Sequence, residues 1–456
     1  MWRRVPEKLR WVDGFVRRIR PHVAVRILDN VVIRMPNQAF RVNPTGARVL
    51  DRLLGGAGMR RLLGEMRAGD GDPRIEELNR FLEDLAVVLG DRYCENYRSE
   101  AIERVGFRLG YIELPVLSEI ALTGRCNLRC RFCYGACAHT SERAGPEERL
   151  STVDIERVLR KVRGDAGVPS VSFTGGEPVL REDLVELIAY AHKTLKMRVN
   201  LITNGTLIDR ALARRMKRVG LASAQVSIEG PDAALHDVIT GVAGSFEASC
   251  RGLRNLVEAG IWAHPHTTIC GMNAGRVDEM AGFAKGLGIE RFSANLVIPA
   301  GRGVDPELDV LYTGIGGILG RVREAAVAER VRFMWYSPTP VCLYNPVAHG
   351  MGNRGCSACE GLLSIDPMGN VLPCSSWPEP LGNLLTGEFR EIWYSERSRV
   401  IRGKGLAWVG CRECESLAVC HGACPLYFGV HGHHEIDGGV GVVSGSGDIG
   451  TREEAG

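Results

Sequence analysis

The spacing of hydrophobic and polar positions divides the chain into regions of different period. Near the N-terminus, β-type runs at Val23–Leu28 and Val31–Met35 flank Asp29-Asn30, which is a hairpin turn signal. Helical spacing then recurs at Ala47–Leu54, Met59–Met66 and Ile75–Leu89. A hairpin followed by three helices predicts a small winged-helix module of α+β type, which we assign to residues 1–95.

From residue 116 the pattern changes to apolar strands that alternate with amphipathic helices. Six strand candidates lie within residues 116–310, at Glu119–Thr123, Ser170–Thr174, Arg198–Thr203, Ala222–Ile228, His264–Ile269 and Arg291–Val297. Strand and helix alternation of this kind predicts a parallel sheet, either open or curled. We therefore predict an α/β fold built on a partial (β/α)6 barrel similar to a TIM barrel. Ligands of such folds gather at the C-terminal ends of the strands.

The C-terminal part of the chain lacks a clear period. Residues 340–429 contain few predicted elements but eight cysteines, which predicts an irregular domain stabilised by metal clusters. Residues 430–456 are rich in glycine and serine, and we predict that this tail is disordered.

Composition narrows the class of protein. The 456 residues are 45% hydrophobic and 24% charged, which is ordinary for a soluble globular protein of two or three domains. No run approaches the ~20 apolar residues of a membrane span, and no signal peptide is evident, so we predict a cytoplasmic location and no membrane partner. The net charge of +3 is too small to indicate a nucleic-acid partner.

The fifteen cysteines carry the main chemical signal, because thiols clustered in a reduced compartment indicate metal or redox work. Cys126, Cys130 and Cys133 follow the first barrel strand with the spacing C-x3-C-x2-C. Three thiolates can hold three irons of a cubane and leave the fourth open, whereas structural zinc wants four ligands. Zinc remains an alternative, and Cys137 as a fourth ligand would make a closed electron carrier.

With Phe132 before its last cysteine, this motif resembles the radical S-adenosylmethionine (SAM) superfamily. The resemblance implies a [4Fe–4S] cluster on Cys126, Cys130 and Cys133 that reductively cleaves SAM to methionine and a 5′-deoxyadenosyl radical. It also implies a low-potential electron donor such as flavodoxin or ferredoxin. By the same resemblance, segments at successive strand ends bind SAM; the residues concerned are Phe132, Gly175, Gly176, Glu177, Thr203, Asn204, Ser227 and Glu229.

A second constellation resembles the SPASM extension of radical SAM enzymes, which carries one or two auxiliary Fe–S clusters. Its spacing is Cys359-x9-Gly369-x4-Cys374, a gap, and Cys411-x2-Cys414-x5-Cys420-x3-Cys424. The resemblance implies that Cys359, Cys374 and Cys424 ligate the first auxiliary cluster, with Cys356 or Cys342 as the fourth ligand. It implies that Cys411, Cys414 and Cys420 ligate the second.

The sequence departs from that pattern because no cysteine follows Cys424. The second auxiliary cluster could take an oxygen ligand or a histidine, could keep an open iron, or could be absent. The candidate histidines are His431, His433 and His434. A zinc ribbon is the simpler alternative for residues 411–424.

The N-terminal module offers a third resemblance. Asn30-Val-Val-Ile-Arg34 and Phe40-Arg-Val-Asn-Pro-Thr45 resemble the PqqD-like peptide-recognition domains of ribosomal peptide pathways. That resemblance implies that residues 23–90 bind the leader of a precursor peptide as an added strand. A winged helix that binds DNA, or a purely structural cap, remains an alternative.

These features together predict a radical SAM enzyme that modifies a ribosomally made precursor peptide by a crosslink, a thioether or a side-chain oxidation. Three alternatives stay open: an enzyme acting on a small molecule or tetrapyrrole, a maturase of a folded enzyme, and a non-catalytic Fe–S scaffold. His264 and His266 alternate on the fifth barrel strand, either in the barrel interior or as satisfied core histidines.

Overall fold

The computed structural model describes residues 5–36, 38–68, 71–89, 102–105, 113–140, 150–352 and 355–437, with the backbone alone for 102–105. Its strands are β1 Val23–Arg26, β2 Val31–Arg34, β3 Gln38–Val42, β4 Ile102–Val105, β5 Leu117–Ala121, β6 Arg125–Cys126, β7 Ala138–His139, β8 Ser170–Thr174, β9 Arg198–Thr203, β10 Leu221–Ser227, β11 Trp262–Ile269, β12 Arg291–Leu296, β13 Arg332–Trp335, β14 Leu362–Ile365, β15 Asn370–Leu372 and β16 Gly382–Asn383. Its α-helices are α1 Val12–Ile19, α2 Pro44–Leu54, α3 Met59–Glu65, α4 Pro73–Leu89, α5 Thr152–Gly164, α6 Leu184–Ala189, α7 Arg210–Val219, α8 Ala233–Thr240, α9 Ser245–Glu258, α10 Met280–Gly286, α11 Tyr312–Ala328, α12 Phe389–Trp393, α13 Glu396–Arg402, α14 Leu417–Cys420, α15 Pro425–His431 and α16 His434–Asp437.

The N-terminal module has the predicted hairpin and three helices, but its sheet is larger than expected. Its four strands pair antiparallel in the order β1-β2-β3-β4, and α1 precedes them. Helix α2 begins after Asn43, whose side chain accepts a hydrogen bond from the backbone N–H of Gly46, while Pro44 occupies the first turn. The helices and the sheet enclose a separate apolar core that includes Leu50 and Leu82.

The barrel contains all six predicted strands and one more. Strands β5, β8, β9, β10, β11 and β12 pair in parallel, and β13 adds a seventh after α11. One face of these strands packs into the apolar core with the helices, as Val199 and Leu201 show. The other face carries polar side chains, among them Asn200, His264 and His266.

The C-terminal region is more regular than predicted, because its strands continue the barrel sheet. Strand β14 pairs in parallel with β5, and β15 and β16 follow antiparallel at the edge. Residues 430–437, assigned above to a disordered tail, are largely helical, since Ile436 is buried in the core beside Tyr427 and Phe428. Residues 438–456, and most of the connector between the module and the barrel, lie outside the described residues. Among the helices described, none combines the length and apolar character of a membrane span.

Candidate functional site

The cysteine motif lies on a loop between β5 and α5, and residues 122–140 are named the cluster loop here. Backbone hydrogen bonds fix this loop to α8, from Arg129 N to Thr240 O at 2.8 Å and from Arg131 N to Ile239 O at 2.9 Å. The short strands β6 and β7 pair with each other across the loop. The barrel therefore sets the backbone path on which the three cysteines sit.

The segment after β8 passes directly against the start of the cluster loop. The N–H of Gly176 donates to Thr123 O at 2.7 Å, and that of Glu177 donates to Arg125 O at 2.8 Å. A Cβ atom on Gly176 would lie 2.0 Å from Arg125 O, while Gly175 has a φ of +137° and would bring a Cβ to 2.5 Å from Thr123 O. Both positions need glycine because the two backbones touch.

Glu177 joins this segment to the end of β9. Its carboxylate is 1% exposed and accepts hydrogen bonds from Thr203 Oγ1 at 2.7 Å, Asn204 N at 2.8 Å and Val179 N at 3.0 Å. Burial raises the pKa of Glu177 to about 7 against the opposing effect of these donors. Three protein donors already occupy the carboxylate, so its clearest structural role is to fix the ends of β8 and β9.

Asn204 connects β9 to the cluster loop itself. Its Nδ2 donates to Asn127 Oδ1 at 2.8 Å and lies 3.9 Å from Cys126 Sγ, while its Oδ1 accepts from Thr206. Asn127 in turn donates to Thr206 Oγ1 at 2.8 Å. No sequence motif marks Asn127 or Thr206 as part of this network, although Asn127 directly follows the first cysteine of the motif.

The three thiols of the motif lie close enough to affect one another. Burial, followed by the charges of Glu229, Cys126 and Cys133, raises the pKa of Cys130 well above its ordinary value. A hydrogen bond from the Cys137 thiol lowers the pKa of Cys133 to about 6. Cys137 thus lies beside Cys133, as a close neighbour of the three candidate ligands.

Arg302, which the sequence analysis missed, holds the far side of the loop. Its guanidinium donates to Cys130 O and Cys137 O, each at 3.2 Å, and its backbone N–H donates to Cys133 O at 3.0 Å. A cation at this position also favours thiolates, and it contributes to the low pKa of Cys133. The only sequence signal for it is the Gly-Arg-Gly turn after the last predicted strand.

The remaining predicted SAM residues lie at the ends of neighbouring strands. Ser227 is the last residue of β10, and the Glu229 carboxylate accepts a hydrogen bond from Thr268 N at 2.8 Å. Burial raises the pKa of Glu229 to about 8. Phe132 packs against the small apolar cluster that contains Ile239 and Val297, and this contact anchors the cluster loop to the barrel.

The C-terminal cysteines form two groups, and each group combines cysteines from distant parts of the sequence. The first cysteine group is defined by the mutual electrostatic interactions of Cys356, Cys359, Cys374 and Cys424. Burial and the charges of Cys356 and Cys424 raise the pKa of Cys374 well above its ordinary value, and burial and the charge of Cys356 raise that of Cys424 to about 12. Cys356, left open beside Cys342 as a fourth ligand, therefore belongs with this group.

Two cations that the sequence analysis did not select border the first cysteine group. Lys404, which is 6% exposed, donates to Cys356 O at 3.0 Å and to Glu360 at 2.9 Å. Arg402 donates to Cys359 O at 2.7 Å. Buried positive charges of this kind offset the negative charge of thiolates and of a cluster bound to them.

The second cysteine group is defined by the mutual electrostatic interactions of Cys342, Cys411, Cys414 and Cys420. Burial, followed by the charges of Cys420, Cys342 and Cys414, raises the pKa of Cys411 to about 11. No three His, Cys, Asp or Glu side chains within the described residues converge on a single metal ion. The ligands of a cubane bind different irons and lie further apart, and sets of three or four thiols suit that geometry.

Comparisons with known proteins agree with this arrangement. The family model of the radical SAM superfamily matches residues 120–284, and the SPASM model of an iron–sulfur cluster-binding domain matches residues 356–416. The AdoMet-dependent heme synthase of Nitratidesulfovibrio vulgaris is 32% identical over 341 residues, which are 69% of this chain and 88% of that protein. The chain belongs to the radical SAM superfamily and carries a SPASM domain.

Other relatives have different printed activities. The PqqA peptide cyclase of Streptomyces rochei is 29% identical over 320 residues, which cover 67% of this chain and 83% of that protein. Streptococcus suis SuiB, solved with the precursor peptide SuiA, has the same fold with a TM-score of 0.66 at 18% identity, over 89% of this chain and 95% of SuiB. This chain is therefore an enzyme that uses SAM, a [4Fe–4S] cluster and auxiliary Fe–S clusters.

Proposed function

We propose that this enzyme modifies a ribosomally made precursor peptide whose leader is held by the N-terminal module. Cys126, Cys130 and Cys133 hold the catalytic cluster in this proposal. Gly175, Gly176, Thr203, Asn204, Ser227 and Glu229 surround SAM, with Glu177 and Phe132 fixing the segments that do so. The relatives include both heme synthases and a peptide cyclase, so the substrate class has to be argued from the rest of the chain.

The observation that carries the peptide assignment is the N-terminal module and its attachment to the barrel. Arg26 is 7% exposed, pairs with Asp29 and donates to Leu114 O at 2.9 Å and Pro115 O at 2.7 Å, directly before β5. Val31, Ile33 and Ala39 form an apolar contact with Val116 on the same side. A peptide held by the module would therefore stay close to the barrel.

The fold comparison supports the same substrate class. Residues 113–456 are about three quarters of the chain, so a match of 89% with SuiB includes part of the module. The heme synthase match covers 69% of this chain. The match to SuiB, which was solved with a bound precursor peptide, extends beyond the barrel into the module. This extent favours a peptide as the substrate of this enzyme.

The sheet of the module restricts how a peptide strand could be added. Strand β4 pairs with β3, while β1 has no second partner among the described strands. Strand β1 also contacts α2, so a helix lies close to this strand. Peptide capture by strand addition would use the β1 edge or would replace β4.

The inner face of the barrel suits a polar substrate. His266 bonds Asn295 Oδ1 and Ser293 Oγ, each at 2.8 Å, and Tyr336 stacks on it with ring centroids 6.0 Å apart. Asn200 donates to Ser172 Oγ at 3.2 Å and accepts from Ser223. Side chains with this many donors and acceptors match the amide groups of a peptide better than an apolar macrocycle.

The residues of the chain prepare the site for radical chemistry. When bound, the cluster and SAM together supply a 5′-deoxyadenosyl radical that abstracts hydrogen from the substrate. The Gly175-Gly176 contact and Arg302 hold the cluster loop in place, and Asn204 orients the start of the loop. Burial keeps His264 and His266 neutral at pH 7, since it lowers their pKa values to about 3 and about 4. Neutral imidazoles can position a substrate by hydrogen bonds without moving protons.

The test uses anaerobically reconstituted full-length enzyme and synthetic peptides encoded by short reading frames beside its gene. With the true substrate, 5′-deoxyadenosine formation should rise at least tenfold and the peptide should change mass. The isolated leader should inhibit competitively, and a scrambled leader should not. If leaderless peptides react equally well, or if no peptide is modified by an enzyme that cleaves SAM, the proposal fails.

A tetrapyrrole substrate is the second candidate, favoured by the 32% identity to a heme synthase. In that case an iron porphyrin would be converted without any peptide, and deletion of residues 1–95 would leave the conversion intact. Running the porphyrin and peptide assays on one enzyme preparation separates the two candidates.

A further inference from the structure

The second cysteine group contains one thiol that the motif spacing does not assign. Cys411, Cys414 and Cys420 follow each other on consecutive turns, with Cys414 N donating to Cys411 O at 3.2 Å and Cys420 N donating to Ser416 O at 2.8 Å. Three thiols from one short segment leave a cubane with one iron lacking a cysteine ligand. A further side chain of the protein can ligate this fourth iron.

Cys342 comes from a different part of the chain and is brought to this group by direct contacts. The N–H of Val341 donates to Cys420 Sγ at 3.5 Å, and Thr339 O lies 3.9 Å from the same sulfur. Leu343 N and Tyr344 N both donate to Pro340 O at 3.0 Å, which forms a tight turn with Cys342 inside it. The turn is therefore fixed against one ligand of the group.

Electrostatic interactions between the thiols support the same grouping. The Cys342 thiol lies close enough to Cys420 and Cys414 to interact electrostatically with both. Neither of these interactions involves the first cysteine group, whose members interact with one another. The eight C-terminal cysteines thus divide into two sets of four.

Two of the three histidines considered as alternative ligands are engaged in packing. His433 stacks on Trp408 and on Phe428, with ring centroids 5.9 and 4.9 Å apart. The ring of His431 packs on Tyr427 at 4.3 Å, and its Nε2 lies 3.5 Å from Asp309. The contacts given above for these two histidines do not include Cys420, whereas Thr339 and Val341 contact its sulfur directly.

We propose that Cys342 is the fourth ligand of the second auxiliary cluster, together with Cys411, Cys414 and Cys420. The upstream thiol takes the place of the cysteine that does not follow Cys424. A cubane with four thiolates has no open iron, so this cluster transfers electrons and does not bind substrate directly. Because Cys342 and Cys414 are exposed, the cluster lies near the surface. The assignment does not depend on the substrate of the enzyme.

The test compares variants made in a chain that already carries Cys126/Cys130/Cys133→Ala, so that only auxiliary clusters contribute iron. Cys342→Ala should lower the iron content from about eight to about four atoms per chain, or leave a [3Fe–4S] signal in the oxidised protein. Cys414→Ala should do the same. Cys250→Ala removes a buried barrel thiol and serves as the matched control with unchanged iron. Unchanged iron and unchanged spectra in Cys342→Ala would overturn the assignment.

Alkylation of the unmodified full-length protein tests whether Cys342 is a ligand even if the Cys342→Ala variant does not fold. Cys342 is exposed, so a free thiol at this position should react with iodoacetamide whether or not the clusters are present. As a ligand, it should be protected in the cluster-replete protein and react at least tenfold faster after iron is removed by a chelator. Equal rates before and after chelation, read by peptide mass spectrometry, would reject Cys342 as a ligand.

Discussion

The cluster loop and the two C-terminal cysteine groups are built in different ways. The loop draws its three candidate ligands from eight consecutive residues, and the barrel fixes its backbone through Thr240, Gly176 and Arg302. Each C-terminal group joins segments that are distant in the chain, and the apolar cluster beside the first group has only a few buried members, among them Ala358 and Ile401. From this difference we expect the barrel to shape the loop before iron binds, and we expect iron to complete the C-terminal region.

The largest effect should come from breaking the contact that shapes the loop. In Gly176→Ala the new Cβ would meet Arg125 O at 2.0 Å, so the cluster loop must move. Formation of 5′-deoxyadenosine should fall at least 100-fold, which corresponds to about 2.7 kcal/mol. Gly164→Ala is the matched control, because nothing lies within 4 Å of its added Cβ. A Gly176→Ala enzyme with more than a tenth of normal activity would contradict a loop shaped by this contact.

Removal of iron tests the comparison directly. Chelation under argon should speed amide exchange in residues 356–374 and 411–424 at least tenfold, because cross-links between distant segments are lost. Exchange in residues 122–140 and in β8–β12 should change less, because backbone hydrogen bonds to the barrel remain. Hydrogen-exchange mass spectrometry of the same preparation with and without clusters measures both regions together. Similar acceleration in the loop would show that it, too, depends on iron.

Much of the barrel could be predicted because its signals are local. Strand periods and helix patterns between residues 116 and 310 depend on neighbouring residues, and the observed β8 and β9 have the predicted bounds. The strand β13 and the pairing of β14 with β5 were missed. A four-residue strand such as β13 has little periodicity, and sheet pairing between residues 245 positions apart leaves no mark in a local pattern.

The same limit explains which site residues were found. The resemblance to SPASM domains groups Cys411, Cys414 and Cys420 as candidate ligands, because these three come from one short segment with regular spacing. Cys342 and Cys356 were left open as alternatives, because only the folded chain brings each to its partners. Arg302 and Lys404 act through backbone carbonyls of the cysteine segments, a role that any arginine or lysine could have and that no motif marks.

The smallest predicted effect concerns the barrel that supports the loop. Burial lowers the pKa of His264 from 6.5 to about 3, so in acid the unfolded chain binds a proton that the folded chain refuses. The stability that neutral His264 contributes is therefore fully present above pH 6.5. It is lost as the pH falls from 6.5 toward 3. Between pH 7.5 and 5.5 the loss is about 1.4 kcal/mol.

Glu177 and Glu229 act in the opposite direction, because their raised pKa values favour the folded state in acid, so the wild-type profile is a sum. His264→Gln isolates one contribution and should lose about 1.4 kcal/mol less than the wild type over the same pH range. The measurement is the exchange free energy of amides in β11 and β12, corrected for intrinsic rates, with the exposed His22→Gln as control. If His264→Gln and the wild type lose the same stability, His264 is not held neutral by the barrel.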